Sequence, residues 1–484
     1  MDLHIAIDPQ QPLAQQIYRQ LHDAILAGHL PHAVRLPATR ELSRRLLVSR
    51  RTVSDAYERL LAEGLLHTRR GHGTFVERPG QPPRPQPMRE PEAPLLTPHP
   101  AWPFRQPRPP ERDGKRWRYD FIGGSLNLAR FPFGAWRNSL QRALQVQAAG
   151  HGGLGEAAGH RPLRQAIAHH LAAQRAVRCS ADDVLITQGA QQALTLIAQV
   201  VLGPGARIAM EEPGYTPARH CFMAAGADVV GIPVDAEGLC VERLPADVRA
   251  VYVTPSHQFP LGMPLSLPRR RALLDWARRH RVLIIEDDYD GEYRFEGRPM
   301  ESLQGLDRHG LVAYLGTFSK TMFPELRLGF VTLPPGLAEP LIAAKQLVDR
   351  HSCALQQYAL ADFIERGEFA RHTQRMQRIY TPLRAALLEA LQGPLSPWLE
   401  PVVPLAGIHI AAWLQPGIDL SRLRCELTDA EIGIGDLAYF HQGTARDGLL
   451  FGFGNIERHA LEAGLKAMRE CFPRCVERSA GSHG

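Results

Sequence analysis

Lysine is scarce in this sequence, and long apolar runs and paired cysteines are missing from it. Only four of the 56 basic residues are lysines, so a lysine in a special setting stands out. No apolar run approaches the roughly 18 residues of a membrane-spanning helix, and the N-terminus lacks the basic and then apolar order of a signal peptide. None of the seven cysteines forms a CxxC pair, which argues against a disulfide framework or a zinc knuckle. The sequence therefore predicts a reduced, cytoplasmic protein.

The net charge of +6 is concentrated near the N-terminus. Residues 1–78 hold 11 basic residues against 8 acidic ones, and residues 79–115 hold 6 against 4. The remaining 369 residues hold 39 against 38. Because the excess lies at one end, this pattern favours an anionic partner for that end of the chain.

A proline-rich segment divides the chain. Residues 79–115 contain 13 prolines and almost no periodic apolar pattern. Proline removes backbone donors and fixes φ, so neither a helix nor a sheet can continue through such a segment. We predict a small module over residues 1–78, a semi-rigid linker over 79–115 and a large domain over 116–478.

The small module has the pattern of a winged helix-turn-helix. Apolar residues recur at helical spacing from Leu13 to Ile25, again at Leu42 and Leu46, and from Val53 to Leu61. The segment Leu66 to Val76 alternates around Gly71-His72-Gly73 like a short hairpin. In such a module the N-terminal residues of the third helix contact bases, and here they include Arg50 and Arg51. A solvated arginine-rich face would have the same composition, so composition leaves both interpretations open.

The amino-acid sequences of three segments are more specific than the composition. Arg35 to Leu42, Val48 to Leu60 and Gly71 to Val76 closely resemble the GntR family of bacterial repressors and activators. The resemblance implies a dimer that binds double-stranded operator DNA at paired half-sites. It also implies DNA contacts by the matching residues, which are Arg40, Arg50, Thr52, Arg70 and Gly71.

The large domain alternates short apolar strands with helices, which is typical of an α/β fold with a largely parallel sheet. In such sheets, sites open at the carboxyl ends of the strands. The predicted strands include Val184–Thr187, Ile208–Met210, Val229–Val234, Val251–Val253, Val282–Ile285 and Val312–Leu315.

Lys320 follows one of these strands, in Gly316-Thr317-Phe318-Ser319-Lys320. A lysine at the carboxyl end of a strand is placed to form a Schiff base with an aldehyde cofactor. Arg327 and the hydroxyls of Thr317 and Ser319 could hold the phosphate of that cofactor. A surface lysine on a loop is the alternative.

Acidic residues crowd the end of another strand, in Ile284 to Asp290. A pyridoxal ring offers a protonated nitrogen to a carboxylate and an oxygen to a tyrosine hydroxyl. A Mg²⁺ site is the rival interpretation, but no phosphate-loop lysine motif accompanies it. The turn from Thr187 to Gln192 has free amide groups for a phosphate. Tyr215 could stack on a ring, or it could be an ordinary buried tyrosine.

Together these fragments resemble the fold-type I pyridoxal-phosphate enzymes of the aspartate aminotransferase superfamily, over essentially residues 116–478. The resemblance implies that Lys320 forms the Schiff base, Asp287 rather than Asp288 pairs with the pyridine nitrogen, and Tyr289 bonds the ring hydroxyl. It further implies stacking by Tyr215 and phosphate binding by Arg327, Thr317, Ala190 and Gln191.

A GntR-type module, a proline-rich linker and an aminotransferase-like domain make up the MocR subfamily of regulators, which this chain resembles. In the loop Thr254 to Gly262, His257 or Gln258 replaces the asparagine that aminotransferases place against the cofactor. Leu450 stands where those enzymes have an arginine that binds the substrate carboxylate. Turnover of amino acids is therefore expected to be slow or absent.

We predict a pyridoxal-phosphate-dependent transcriptional regulator that forms a homodimer and needs no metal. Its small-molecule effector would be an amine or amino acid that displaces Lys320, or pyridoxal phosphate itself. Two alternatives stay open at this point. One is a working aminotransferase with an accessory DNA-binding module, and the other is a DNA-binding protein with a cofactor-free domain.

Overall fold

The computed structural model describes residues 5–8, 11–77, 116–124, 126–150, 153–295, 301–443 and 446–476. The chain divides into two compact units between Thr97 and Pro98. The predicted linker 79–115 and the last residues of the predicted large domain, 477–478, lie outside the described residues.

The first unit contains three helices and a hairpin. They are α1 (Leu13–Leu26), α2 (Thr39–Leu46), α3 (Arg50–Ala62), β1 (Leu66–Arg69) and β2 (Gly73–Val76). The two strands are antiparallel, with Leu66 opposite Val76 and Arg69 opposite Gly73. The predicted winged helix-turn-helix is confirmed.

A single apolar core holds this unit together. In α1, Ile17, Leu21 and Ile25 are buried at intervals of four residues, so they share one face of the helix. They pack in one cluster with Val53 and Leu60 of α3. The helical spacing in the sequence therefore marks the buried faces correctly.

The main sheet of the second unit has eight strands. In chain order they are β4 (Val184–Thr187), β5 (Arg207–Glu212), β6 (Asp228–Asp235), β7 (Gly238–Leu239), β8 (Ala250–Val253), β9 (Leu283–Asp288), β10 (Val312–Thr317) and β11 (Gly329–Thr332). Their spatial order is β4-β11-β10-β9-β8-β5-β6-β7. The strands from β10 to β6 in that order run parallel, while β11 is antiparallel to both of its neighbours. The predicted α/β class with a mainly parallel sheet is confirmed.

Helices cover both faces of this sheet. Ile285 of β9 packs on one face with residues of α6, α7 and α10, while Ile284 packs on the other face with residues of α8. The helices of the unit are α4 (Phe133–Ala149), α5 (Arg161–Arg175), α6 (Gly189–Val201), α7 (Thr216–Ala224), α8 (Leu267–His280), α9 (Leu303–Leu306), α10 (Ala338–Asp349), α11 (Ala354–Glu365), α12 (Glu368–Gln392), α13 (Leu420–Asp429) and α14 (Arg458–Cys471). Among the described residues, no helix combines the length and apolar character that crossing a membrane requires.

A second sheet of five strands was not predicted from the sequence. Its strands are β3 (Tyr119–Phe121), β12 (Leu399–Pro401), β13 (His409–Leu414), β14 (Ile432–Asp436) and β15 (Gly448–Gly452). Their spatial order is β12-β13-β15-β14-β3. Because β3 pairs in parallel with β14, the sheet joins the two ends of the large domain.

Candidate functional site

Three predicted site segments meet at one edge of the main sheet. Asp287 lies near the carboxyl end of β9, and Lys320 follows the carboxyl end of β10, its parallel neighbour. Arg327 precedes β11, which pairs with β10 on its other side. Parallel strands β9 and β10 end at the same edge, and the antiparallel strand β11 begins there, so the order and direction of the strands bring these residues together.

Asp287 is buried and only half satisfied. Its Oδ2 atom accepts a 2.7 Å hydrogen bond from the hydroxyl of Tyr252, while Oδ1 has no partner among the described residues. Burial raises the pKa of Asp287 to about 7, although the bond from Tyr252 opposes this shift. A buried carboxylate oxygen without a partner is costly, so a cationic donor such as a protonated pyridine nitrogen fits here.

The amine of Lys320 lies close to the backbone of residue 124. Its Nζ atom donates to the carbonyl oxygen of Gly124 at 3.3 Å. Gly124 has a φ of +86°, and a Cβ atom there would lie 2.8 Å from Nζ. The glycine therefore leaves room for the lysine amine.

The start of α6 and Arg327 form a basic corner at the same edge of the sheet as Lys320. The Nη2 atom of Arg327 donates to the carbonyl of Gln188 at 3.3 Å. Gly189 has a φ of +76°, and a Cβ atom there would come within 3.0 Å of Nη2. A helix N-terminus with an adjacent guanidinium is suited to a phosphate group.

The other predicted phosphate ligands differ in which hydrogen-bonding groups remain available to a phosphate. The hydroxyl of Thr317 accepts from the backbone N–H of Ser319 at 3.2 Å, while the buried Oγ of Ser319 has no partner among the described residues. The side chain of Gln191 donates to the carbonyl of Pro217, so its backbone N–H is the group left for a ligand. Ala190 can likewise contribute only its backbone.

Tyr215 caps α7 and lies beside the same corner. Its ring meets that of Phe259 edge-on at 5.4 Å. Burial raises the pKa of Tyr215, the charge of Asp287 adds to this effect and the charge of Arg327 opposes it. The charges of Asp287 and Arg327 thus both act on the pKa of Tyr215, and these two residues are predicted to hold opposite ends of the cofactor.

Tyr289 and His257 contact each other. The Tyr289 hydroxyl donates to the carbonyl of His257 at 3.0 Å and lies 2.9 Å from the Nδ1 atom of the same residue. Gln258, the other candidate in this loop, donates its amide to the carbonyls of Pro213 and Phe259. Of the two, His257 is the one that contacts a predicted ligand of the ring.

Leu450 lies in β15 and is buried in an apolar cluster with Leu261, Leu437 and Phe440. Its Cδ2 atom would lie 3.6 Å from a Cβ atom at Gly123, next to the glycine that contacts Lys320. The position that was predicted to replace the aminotransferase arginine is thus buried among apolar side chains.

Three contributors were missed by the sequence analysis: Tyr252, Gly124 and Asp290. Tyr252 was assigned only to a buried strand, and a tyrosine inside such a strand needs a polar partner for its hydroxyl, which was an available signal. Gly124 precedes the first strand predicted in the large domain by 60 residues, and nothing in its neighbourhood indicated a role. Asp290 was taken as one member of an acidic run.

The predicted DNA-contacting residues lie in three places, which are the starts of α2 and α3 and the turn between β1 and β2. Arg40 is in the first turn of α2, while Arg50, Arg51 and Thr52 form the first turn of α3. The four arginines Arg40, Arg50, Arg51 and Arg70 are exposed, as is Gly71. Thr52 is half-buried, and its backbone N–H and hydroxyl both bond the capping residue Ser49, at 3.0 and 2.7 Å.

The hairpin turn is shaped by glycines. Gly71 has a φ of +80°, and a Cβ atom there would meet nothing within 4 Å. Gly73 has a φ of +109° and lies against the side chain of Arg35. The tip is therefore slim, which suits close approach to a groove of DNA.

Two family models match the chain. Residues 13–76 match the bacterial regulatory proteins of the gntR family, and residues 125–408 match aminotransferase class I and II. The probable rhizopine catabolism regulatory protein MocR of Rhizobium meliloti is 35% identical over 96% of this chain and 94% of its own length. The chain belongs to the MocR-type regulators of the gntR family. Another relative of this MocR type is the pyridoxine biosynthesis transcriptional regulator PdxR of Corynebacterium glutamicum, 30% identical over 95% of this chain and 96% of its own.

The large domain of this MocR-type protein is also similar to solved enzymes. The kynurenine aminotransferase of Pyrococcus horikoshii, in complex with PMP, is 28% identical, with a TM-score of 0.69 over 74% of this chain and 91% of that one. Within the described ranges, Asp287 is half satisfied and the Ser319 hydroxyl has no partner, and the two fit the ring and phosphate of the same cofactor class. The protein is a DNA-binding transcriptional regulator whose cofactor is pyridoxal phosphate.

Proposed function

We propose that this regulator senses a small molecule at the Lys320 site and transmits the result to the DNA-binding unit. The observation that carries the proposal is Oδ1 of Asp287, which has no partner in the part of the chain that the structure describes and is buried at the sheet edge that Lys320 and Arg327 share. A buried carboxylate in that setting is stabilised by a cation. The protonated pyridine nitrogen of the bound cofactor would be such a cation.

Each end of the cofactor has candidate ligands. Asp287 would pair with the pyridine nitrogen, Tyr289 would bond the ring oxygen, and Tyr215 would stack on the ring. Lys320 would provide the amine that reacts with the aldehyde, which is the chemistry that pyridoxal phosphate supplies when it is bound. The phosphate would be held by Arg327, Thr317, Ser319 and the backbone N–H groups of Ala190 and Gln191.

The chain's own residues also restrict the effector. Leu450 and its apolar neighbours offer no cation to a carboxylate, and burying an unpaired carboxylate there would cost several kcal/mol. This arrangement supports an amine effector held without that contact, or pyridoxal phosphate acting as the effector itself. It argues against efficient turnover of α-amino acids.

We infer that the regulator works as a homodimer. The second unit exposes several large apolar side chains, and exposed apolar groups often mark an interface. These side chains are Leu144, Val146, Leu154, Leu347 and Val348. Light scattering should give twice the mass of one chain. Leu347→Asp should weaken the dimer, while Leu47→Asp, equally exposed in the first unit, should leave it intact.

The Lys320 site and the DNA-binding unit would be coupled through a shift in the populations of two arrangements of the dimer. A ligand that binds one arrangement of the dimer more tightly favours that arrangement, and DNA that prefers one arrangement is coupled to the ligand by the same free energy. Arg40, Arg50, Arg51, Thr52, Arg70 and Gly71 would then form the DNA-contacting surface.

The decisive experiment follows the cofactor absorbance and keto-acid formation after amines and amino acids are added to the cofactor-loaded protein. We expect spectral changes without multiple turnovers, and a change in DNA affinity for the molecules that produce them. Sustained keto-acid production would show a working aminotransferase instead. Absence of a cofactor band would support a domain that is idle.

A further inference from the structure

Behind Tyr289 lies a buried carboxylate–imidazole pair, of which His257 alone was predicted from the sequence as a candidate neighbour of the cofactor. The Nδ1 atom of His257 is 3.0 Å from Oδ2 and 3.2 Å from Oδ1 of Asp290. Both side chains are 1% exposed. Burying a carboxylate this deeply is costly unless a partner accompanies it, and His257 is that partner.

The chain makes room for the imidazole at two positions. Gly407 has a φ of +84°, and a Cβ atom there would fall within 2.0 Å of the His257 ring. Gly262 has a φ of +98°, and its Cβ atom would lie 3.2 Å from Nε2. The ring occupies this space with Nδ1 toward Asp290 and Tyr289.

The hydrogen bonds determine where the protons are. Because both carboxylate oxygens of Asp290 face Nδ1, that nitrogen carries the proton, and the Tyr289 hydroxyl cannot donate to it. Among the hydroxyl's hydrogen-bond partners in the described part of the chain, the acceptor then left is the carbonyl of His257. That carbonyl bond is neutral, so a negatively charged oxygen of a ligand would be a stronger acceptor.

We propose that Asp290 and His257 are positioning residues, which keep the Tyr289 proton off the imidazole and available to the ring oxygen of pyridoxal phosphate. This inference rests on the proposed contact between Tyr289 and that oxygen. Neither residue of the pair needs to touch the cofactor. Without Asp290 the Nδ1 proton could move to Nε2, and the hydroxyl would then donate to the imidazole.

The other charged and titratable groups near the His257 imidazole are compatible with the positioning role of Asp290 and His257. The ring of His409 lies 4.4 Å from that of His257, and burial lowers the pKa of His409 well below its usual value, with His257 and Lys320 adding to the effect. His409 is therefore a neutral neighbour. Asp287 and Glu211 act on Tyr289, whose pKa is raised first by burial and next by Asp290.

A metal ion is the competing explanation. His257, Asp290 and His409 each offer a ligand atom, all within 4.8 Å of one another. The Nε2 atom of His409 is already directed at the carbonyl of Pro260 at 3.2 Å, and Asp290 already pairs with His257. These bonds favour the pair over a metal, and metal analysis of the purified protein is part of the test.

The test is a double-mutant cycle on the cofactor-loaded protein, read as the pH midpoint of the cofactor's visible absorbance. In the native background, Asp290→Asn should raise the midpoint by about one pH unit, a tenfold change in the proton equilibrium, because the ring oxygen loses its donor. In the Tyr289→Phe background the same substitution should have no further effect. Asp362→Asn, which removes a carboxylate paired with Arg142, is the control and should change nothing.

Three results would overturn the inference. They are an equal shift in both backgrounds, a downward shift, which loss of a buried negative charge alone would produce, and one metal ion per chain bound by these residues. If Asp290→Asn does not fold, His257→Gln enters the same cycle with the same expectation. A native protein without a Lys320-dependent band would refute the proposed function as well, whereas a normal band with unchanged titration in the variant would refute only the pair.

Discussion

The hydroxyl of Tyr252 donates to Oδ2 of Asp287 and leaves Oδ1 without a partner among the described residues. Tyr252 is in β8 and Asp287 is in the neighbouring parallel strand β9, so the pairing of two strands fixes the direction of the carboxylate. One oxygen is thereby held by the protein and the other is left for a ligand. The predictions below follow from this arrangement and its surroundings.

Lys320→Ala should abolish the visible band that appears when pyridoxal phosphate is added. Borohydride reduction should attach the cofactor of the native protein to the peptide that contains Lys320. Lys466→Ala is a matched control, because Lys466 is an exposed lysine on α14. A band that survives in Lys320→Ala would show that another amine reacts.

Asp287→Asn should change how the stability of the cofactor-free protein depends on pH. Burial raises the pKa of Asp287 to about 7, above the unfolded value of about 3.9. The stability contributed by its bound proton is therefore complete below about pH 4 and is lost as the pH rises through about 7. The side chain at position 287 in Asp287→Asn does not titrate in this range. The melting temperature of the variant should therefore rise relative to that of the native protein as the pH increases from 5 to 8.

The same substitution should act in the opposite direction once the cofactor is present. A pyridinium nitrogen would compensate the charge of Asp287, so pyridoxal phosphate should raise the melting temperature of the native protein more than that of the variant. Melting curves of the two proteins that stay parallel across the pH range would contradict the assignment of Asp287.

Gly189→Ala should weaken binding of pyridoxal phosphate by about tenfold, or roughly 1.4 kcal/mol. The new Cβ atom would lie 3.0 Å from Nη2 of Arg327, at a backbone φ of +76° that alanine disfavours. Gly203→Ala is the control, since a Cβ atom there meets nothing within 4 Å. The affinity for pyridoxal, which lacks the phosphate, should fall much less, and an equal loss for both ligands would refute the phosphate site.

Arg50→Ala should weaken specific DNA binding by about 1–3 kcal/mol if the residue reads a base. Arg59→Ala removes the same charge from the other end of α3, where the guanidinium stacks 4.1 Å from the ring of Tyr18. Affinities for a DNA site selected by the protein should be compared at one salt concentration, because phosphate contacts depend on salt. Equal losses in the two variants would indicate a general charge effect.

The sequence was sufficient to predict the first unit and six of the eight strands of the main sheet, but not β7 or the antiparallel β11. Buried strands such as Val184–Thr187 are short apolar runs, and the helices of the first unit repeat their apolar residues at helical spacing. The five-stranded sheet was missed because β3 pairs with β14, which is some 300 residues away in the chain, and no local pattern carries that pairing.

The sequence predicted which residues form the candidate site, but it predicted fewer of the contacts that these residues make. Lys320, Asp287, Tyr289 and Arg327 were named from local motifs, and their roles stay predictions. Successive residues of a strand face opposite sides, so Asp288 points away from Asp287 and is bound by Arg175 at 2.6 Å. This difference in environment arises from packing and could not be derived from two adjacent aspartates.

The sequence by itself determined the two-part organisation and the α/β class, and it predicted one lysine suited to the cofactor, because apolar periodicity and motif spacing are local properties. Only the tertiary structure decided that Tyr252 holds one oxygen of Asp287, that Gly124 lies against the Lys320 amine, and that Asp290 stands behind His257. These contacts join strands and loops distant in the chain. Their physical origin is the order of the strands and the alternation of side chains across the sheet.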